Sequence, residues 1–387
     1  MDKKSVLLIR IVGANDDGGI RQSERQLIPE FRKCGAKVVG IVVGSSLGNF
    51  ADQAEDFPIV VDAIERRYQN GVINKMSAYL HNKRVANRIA GEISERLMRE
   101  LNITQYARII INVRKVTLVA LAHKLAIELN GQAVLHIGRF THNTLINRLY
   151  YGWLKQRPRL TLIANSRPTA RHYGLSEKAV VYPGLDITQR PQQKSAQQLR
   201  NELKISATSP VFLYLARLSL AKAPDVLLEA FLSSAPLVAA DAHIVFVGPV
   251  QDDEVNQRLV ALIGEYRASA RVHVVGRQAN VSDWYSMANV FVNSNRGYEG
   301  FGISIIEAMA CGVPVLSSAL GGPSETIEDG RVGWLTADLS RNGYQRALER
   351  ALNDRDKWSQ MGEAGRVCAR KYSADQQARQ YLALVVD

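Results

Sequence analysis

The chain has 387 residues, 46% hydrophobic and 22% charged, with a formal net charge of +12. This composition fits globular α/β domains and excludes a collagenous, low-complexity or disulfide-stapled chain. Cys34, Cys311 and Cys368 stand far apart without paired spacing and read as incidental thiols in a reducing compartment.

The apolar run that opens the chain is short and ends in Arg10, which predicts a core strand over Ser5–Val12 rather than a cleaved leader. A Gly-rich turn follows, Gly13-Ala14-Asn15-Asp16-Asp17-Gly18-Gly19, and opens a helix near Ile20–Lys33. It lacks the Gly-x-Gly-x-x-Gly dinucleotide pattern, so Gly18 and Gly19 are weak candidates for contact with a phosphate, and an ordinary loop is the better reading. Strands are predicted over Lys37–Val43, Pro58–Val61, Arg108–Val113, Ala133–Ile137 and Leu160–Ala164. Helices are predicted near Ser77–Leu101, Thr117–Leu129 and Thr144–Lys155. Short β-branched runs alternating with helix-length segments predict a parallel sheet with crossover helices. His136 and His142 lie at a strand end, where a His can bond a hydroxyl or a phosphate, or merely cap the core. Val180–Asp186 reads as a strand leaving the first domain.

The polar stretch Gln189–Ser195 marks a boundary. The pattern then restarts with strands over Val211–Ala216, His243–Gly248, Val272–Val275, Val290–Asn293 and Val313–Ser317. Two doubly wound domains are expected, 1–190 with 372–387 and 191–371, with ligands beyond the carboxyl ends of the strands and the cleft between the domains as the default site. No apolar run is long enough to span a membrane; Val116–Ile127, for example, is broken by His123 and Lys124.

Charge is divided unevenly. Residues 1–195 hold 30 Lys and Arg against 16 Asp and Glu, whereas the remainder hold 19 against 21. A basic half attracts phosphates, anionic membranes or nucleic acid, or only aids solubility. Arg66, Arg67, Lys75, Lys83, Arg84 and Arg88 cluster around one helical segment that could lie on an anionic membrane surface.

Two motifs carry chemistry. Arg217 and Lys222 flank a strand-to-helix loop that ends at Pro224. Two such cations suit a diphosphate, or are an ordinary solvated pair. Glu299 and Glu307 stand eight positions apart across the glycines Gly300 and Gly302, and Glu307 falls inside an otherwise apolar helix. A carboxylate there is costly unless something hydrogen-bonds to it, and a polyhydroxy ligand would do so. No His, Cys and carboxylate set has metal-ligand spacing, and no Gly-x-Ser-x-Gly elbow is present.

In order along the second half, Ala216-Arg217-Leu218-Ser219, Lys222-Ala223, Phe246-Val247-Gly248-Pro249, Val274-Val275-Gly276-Arg277 and Trp284–Val292 lead to Glu299…Glu307 and Gly321-Gly322-Pro323-Ser324-Glu325. This series resembles glycosyltransferase family 4. The first half matches it only loosely. The resemblance implies a GT-B fold, α/β, with two doubly wound Rossmann-like domains facing across a cleft. It implies a retaining glycosyltransferase that moves a hexose from a nucleoside diphosphate sugar, of UDP or GDP type, to a glycan or lipid-linked acceptor in cell-envelope polysaccharide or glycolipid synthesis. It further implies that Glu299 contacts the donor sugar and that backbone N–H groups at Gly300, Phe301 and Gly302 face sugar and diphosphate. Glu307 would hold the ribose, the base would stack near Gly276 and Arg277, and Gly18 and Gly19 would approach from the other domain. Arg217 and Lys222 would neutralise the diphosphate in place of a divalent metal, so no further cofactor is expected. His136 or His142 would touch the donor sugar.

Departures are Ala at 216 and 223, where the family commonly has Gly, and Asn293-Ser294 in place of Pro-Ser before the signature, followed by Asn295-Arg296-Gly297-Tyr298. The segment Tyr372–Leu382 resembles the family's terminal helix, which crosses back to the first domain. The expectation is a cytoplasmic enzyme, peripheral on the inner face of the membrane. The alternatives are a sugar-nucleotide epimerase or hydrolase on the same fold, or a basic membrane- or nucleic-acid-binding module. The last has no use for Glu307 in an apolar helix, so nucleic acid is not an expected partner.

Overall fold

The computed structural model describes residues 6–13, 19–43, 72–138, 144–186 and 194–386. The predicted strand Pro58–Val61, His142, Gly18, Arg66, Arg67 and most of the stretch 189–195 lie outside them. The chain divides into two compact units, Met1–Gly184 with Ala374–Asp387, and Leu185–Ser373.

The first unit holds strands β1 (Val6–Gly13), β2 (Ala36–Val43), β3 (Arg108–Val113), β4 (Gln132–Ile137) and β5 (Leu160–Ala164), in the order β2-β1-β3-β4-β5. All these neighbours pair in parallel. Period-two alternation feeds two cores from one sheet. Leu7, Ile9, Ile111, Val113 and Leu135 join the helices Val72–Leu101, Val119–Glu128 and Thr144–Lys155 on one face. Leu8, Val38, Ile110, Val134 and Ile163 join Phe31 and Tyr381 on the other. Those two rings meet edge to face with centroids 5.5 Å apart, which docks the terminal helix Ala374–Val386 on the helix Gly19–Lys33.

Val180–Asp186 is not a strand. It makes single bridges, Ala164 to Val180 and Leu185 to Ser373, and the main chain at Gly184 donates instead to Gln377 Oε1 at 2.6 Å. Pro183 has no N–H to continue a ladder.

The second unit holds β6 (Val211–Leu215), β7 (His243–Val247), β8 (Val272–Gly276), β9 (Val290–Asn293), β10 (Val315–Ser318) and β11 (Gly333–Thr336), in the order β11-β10-β9-β6-β7-β8. Four-residue β11 has no counterpart among the predicted strands; its Gly333 and Thr336 dilute the apolar signal of Trp334 and Leu335. The chain starts this sheet at β6, builds outward through β7 and β8, then returns to place β9 on the other side of β6. The crevice beyond the carboxyl ends of β6 and β9 is therefore the topological switch point, where open α/β sheets bind ligands.

Candidate functional site

The chain leaves β6 into a tight loop, residues 216–223, before the helix Pro224–Leu232. It leaves β9 into residues 294–302, before the helix Ile303–Ala310. Because β6 and β9 are neighbours, the two loops meet. Lys222 Nζ is hydrogen-bonded and ion-paired with Glu299 Oε2, across 77 residues of sequence. Both side chains keep some exposure, 25% and 17%, so a ligand could reach and divide the pair. The second Glu299 oxygen, Oε1, accepts from the N–H of Gly300 at 3.1 Å.

The main chain of Glu299 is fixed by the turn after β10. Its N–H donates to Leu320 O at 3.1 Å, and its carbonyl accepts from Gly322 N–H at 2.9 Å. Gly321 makes this possible: at φ +91° it takes a left-handed conformation, and a Cβ there would stand 2.0 Å from Glu299 O. Gly302, at φ +88°, caps the helix Ile303–Ala310, and its carbonyl accepts from Ile305 N–H at 3.0 Å. Gly300 and Gly302 are buried, and Phe301 is core, its ring 5.3 Å from Tyr372. At residue 301 only the main chain is thus left to face a ligand.

Glu307 lies on this helix four residues past Ile303, and its burial differs from the expectation. It is half-buried, and Oε2 accepts from Tyr285 Oη–H at 3.2 Å. The helix buries Ile305, Ile306, Ala308 and Met309, whereas Glu307 stays half-buried with Ile303 and Ser304. No ligand is needed to make the carboxylate tolerable, since Tyr285 already hydrogen-bonds to it.

Arg217 is exposed and donates from Nη1 to Gln251 Oε1 at 3.0 Å, toward the loop after β7. Gly276 ends β8, with its carbonyl accepting from Gly248 N–H at 2.8 Å, and Arg277 beyond it is exposed. In the first unit Gly19 opens the helix Gly19–Lys33. His136 is buried on β4, 4% exposed; burial, with the nearby Arg114, pushes its imidazole down to about 3. It is neutral at physiological pH, which suits a hydrogen-bonding group rather than an acid.

Several supports of the site carry no short-range signal. Tyr214 Oη–H donates to Arg217 O at 3.2 Å, and Tyr344 Oη exchanges hydrogen bonds with Asn295 N and O at 2.9 and 3.2 Å. Burial pushes both phenols up, Tyr344 to about 12, so both remain donors. A Tyr in an apolar strand such as Val211–Leu215 calls for a polar partner, the one clue available from sequence. Arg296, Asp225 and Ser294 bind the two loops together, a role that their types and spacing do not announce. Among the described residues, no group of three or more His, Cys, Asp or Glu is disposed to hold a metal.

Two Rossmann-like α/β units, with a Lys–Glu pair at the switch point of the second, constitute a GT-B fold. The chain superimposes over 99% of its length on a solved glycosyltransferase from Rickettsia africae, covering 98% of that chain (TM-score 0.77, 17% identity). It superimposes almost as well on HepE of Anabaena in complex with UDP and glucose, covering 98% of this chain and 99% of that one (TM-score 0.76, 17% identity). Residues 195–367 match the sequence model of Glycosyl transferases group 1. A D-inositol 3-phosphate glycosyltransferase of Gordonia bronchialis is 30% identical over 233 residues, covering 55% of this chain and 49% of its own. The chain spans about half the length of the curated relatives it matches.

Proposed function

We propose that the protein is a retaining glycosyltransferase that moves a hexose from a nucleoside diphosphate sugar, of UDP or GDP type, to a glycan or lipid-linked acceptor. The observation that carries this reading is the Lys222–Glu299 pair at the switch point, within the segment that matches the family. A cation and a carboxylate held side by side complement the two ends of such a donor. On binding, Lys222 exchanges Glu299 for the diphosphate, and Glu299 accepts hydrogen bonds from the sugar hydroxyls. HepE, with the same fold, was crystallised with UDP and glucose, which further supports a sugar-nucleotide donor.

Charge grows on the leaving diphosphate as the glycosidic bond breaks. Lys222, with Arg217 from the same loop, stabilises that charge. Glu307 takes the ribose hydroxyls while Tyr285 orients its carboxylate. The N–H groups of residues 300–302 face the diphosphate. The leaving phosphate departs on the face from which the acceptor attacks, which retains anomeric configuration without a covalent nucleophile. The two cations take the place of a divalent metal.

We also propose that the enzyme works on the inner face of a membrane. The basic first half supports this, as does the helix Thr144–Lys155, which exposes Leu145 and Leu149 (70% and 58%) one turn apart beside the exposed Arg148. Among the described residues no helix is long and apolar enough to cross a membrane.

A thermal-shift screen of UDP- and GDP-sugars, followed by transfer assays and NMR of the product anomer, tests the first proposal. An isomerised sugar with no transfer product would replace it with an epimerase. Sedimentation with anionic and neutral liposomes tests the second; equal, salt-independent partition would end it.

A further inference from the structure

The segment before Glu299 departs from the family pattern at Asn293-Ser294, and Arg296 after it reaches across to the Lys222 loop. Its main-chain N–H donates to Ala221 O at 3.0 Å. Its Nε donates to Leu220 O at 3.0 Å. Its Nη2 is ion-paired with Asp225 Oδ2. These three partners bracket Lys222. Ser294 Oγ adds a donor to Lys222 O at 2.8 Å and Ala223 O at 3.2 Å. The turn so gripped is strained: Ala223 sits at φ +47°, the left-handed region that favours glycine.

We propose that Arg296 is a positioning residue: it holds the left-handed turn at Ala223 in shape, so that Lys222 Nζ meets Glu299 at the donor site. Arg296 acts on the donor through Lys222 and does not touch it. The inference rests on the reading that Lys222 serves a nucleoside diphosphate sugar. Arg suits the task because its planar fork serves a carbonyl and a carboxylate at once, which an ammonium cannot do in the same geometry. With 45% of the Arg296 side chain exposed, its ion pair alone stabilises little, so its weight lies in the geometry it imposes. Ala223, which replaces the family's Gly, and Arg296, three residues before Glu299, are thus two halves of one device: the first strains the turn and the second restrains it.

The test uses Arg296→Ala, Arg296→Lys, and each combined with Ala223→Gly, read by hydrogen exchange of residues 218–225 in the ligand-free protein and by kinetics with the donor varied. Arg296→Ala is expected to speed exchange at the Lys222 and Ala223 amides, which donate to Ser219 O and Leu220 O, and to lower donor kcat/KM about tenfold, the effect of one charge-assisted hydrogen bond. Acceptor KM stays unchanged. Arg296→Lys falls between. Ala223→Gly, which removes the strain, restores most of both losses. Unchanged exchange in Arg296→Ala overturns the proposal. So does a double variant whose exchange recovers while its transfer does not, since Arg296 would then touch the donor. Should Arg296→Ala fail to fold, the Lys pair of variants decides. If the wild type transfers no sugar, the proposed activity falls, and the exchange arms alone decide whether Arg296 holds the turn.

Discussion

Lys222 and Glu299 are paired although 77 residues separate them, because the strands that deliver them, β6 and β9, are neighbours at the point where the sheet reverses its direction of growth. Neither loop would hold its charged side chain in this place alone. Lys222 is set by a 3-10 turn, Leu220–Lys222, and Glu299 by its main-chain bonds to Leu320 and Gly322. In the folded molecule each partner satisfies the other.

Removing either partner should stop transfer without unfolding the protein. Lys222→Ala and Glu299→Ala are expected to lower kcat by about 10²- to 10³-fold, the usual loss when one group that stabilises developing charge is deleted. Melting temperatures should change little, because both side chains retain contact with solvent. Transfer rates like those of the wild type in both variants would refute the assignment.

Tyr285→Phe should separate binding from chemistry. It deletes the hydroxyl that donates to Glu307 Oε2 and leaves the ring in the core. Donor KM is expected to rise about tenfold or more, as for one lost hydrogen bond to a carboxylate, with kcat nearly unchanged. A fall in kcat at constant KM would place Glu307 at the reacting bond instead of the ribose.

Gly321→Ala should damage both the site and the fold. The added Cβ would stand 2.0 Å from Glu299 O, and the left-handed φ of +91° adds strain of about 1–3 kcal/mol. Urea unfolding and donor binding measured together check this. Wild-type affinity with only a stability loss would show that the turn after β10 does not set Glu299.

Acid should weaken the second unit through a histidine pair on the neighbouring strands β7 and β8. His243 Nδ1 lies 3.0 Å from His273 Nε2, and the rings are stacked. Burial lowers both groups, His273 to about 4 with His243 beside it as a further cause. Since the folded-state values lie below the ordinary 6.5, the unfolded chain binds more protons in between. Stability from this pair is therefore intact above pH 6.5 and is lost as pH falls from 6.5 toward 4. After allowance for partial solvent screening, the loss attributable to His273 is about 1–2 kcal/mol. Urea unfolding at about pH 7 and about pH 5, on either side of the ordinary histidine value, should show it. His273→Gln should flatten the dependence.

The parallel α/β class, most strand positions and the order of the motifs are legible in the chain because their causes are local. They are β-branched runs of five or six residues, such as Arg108–Val113 and Leu160–Ala164, and loop residues whose chemistry shows in their type. Glu307 can be placed in a helix on the same grounds, but not the Tyr285 hydroxyl that makes its carboxylate comfortable. Val180–Asp186 reads as a strand because apolar β-branched residues also line irregular chain against a sheet edge. The meeting of Lys222 with Glu299, the close approach of Gly321 to the Glu299 carbonyl and the grip of Arg296 on the turn at Ala223 exist only in the folded molecule. Those contacts join segments brought together by strand order, and strand order is set by how whole helices and strands bury their apolar faces, a property no single stretch of the chain contains.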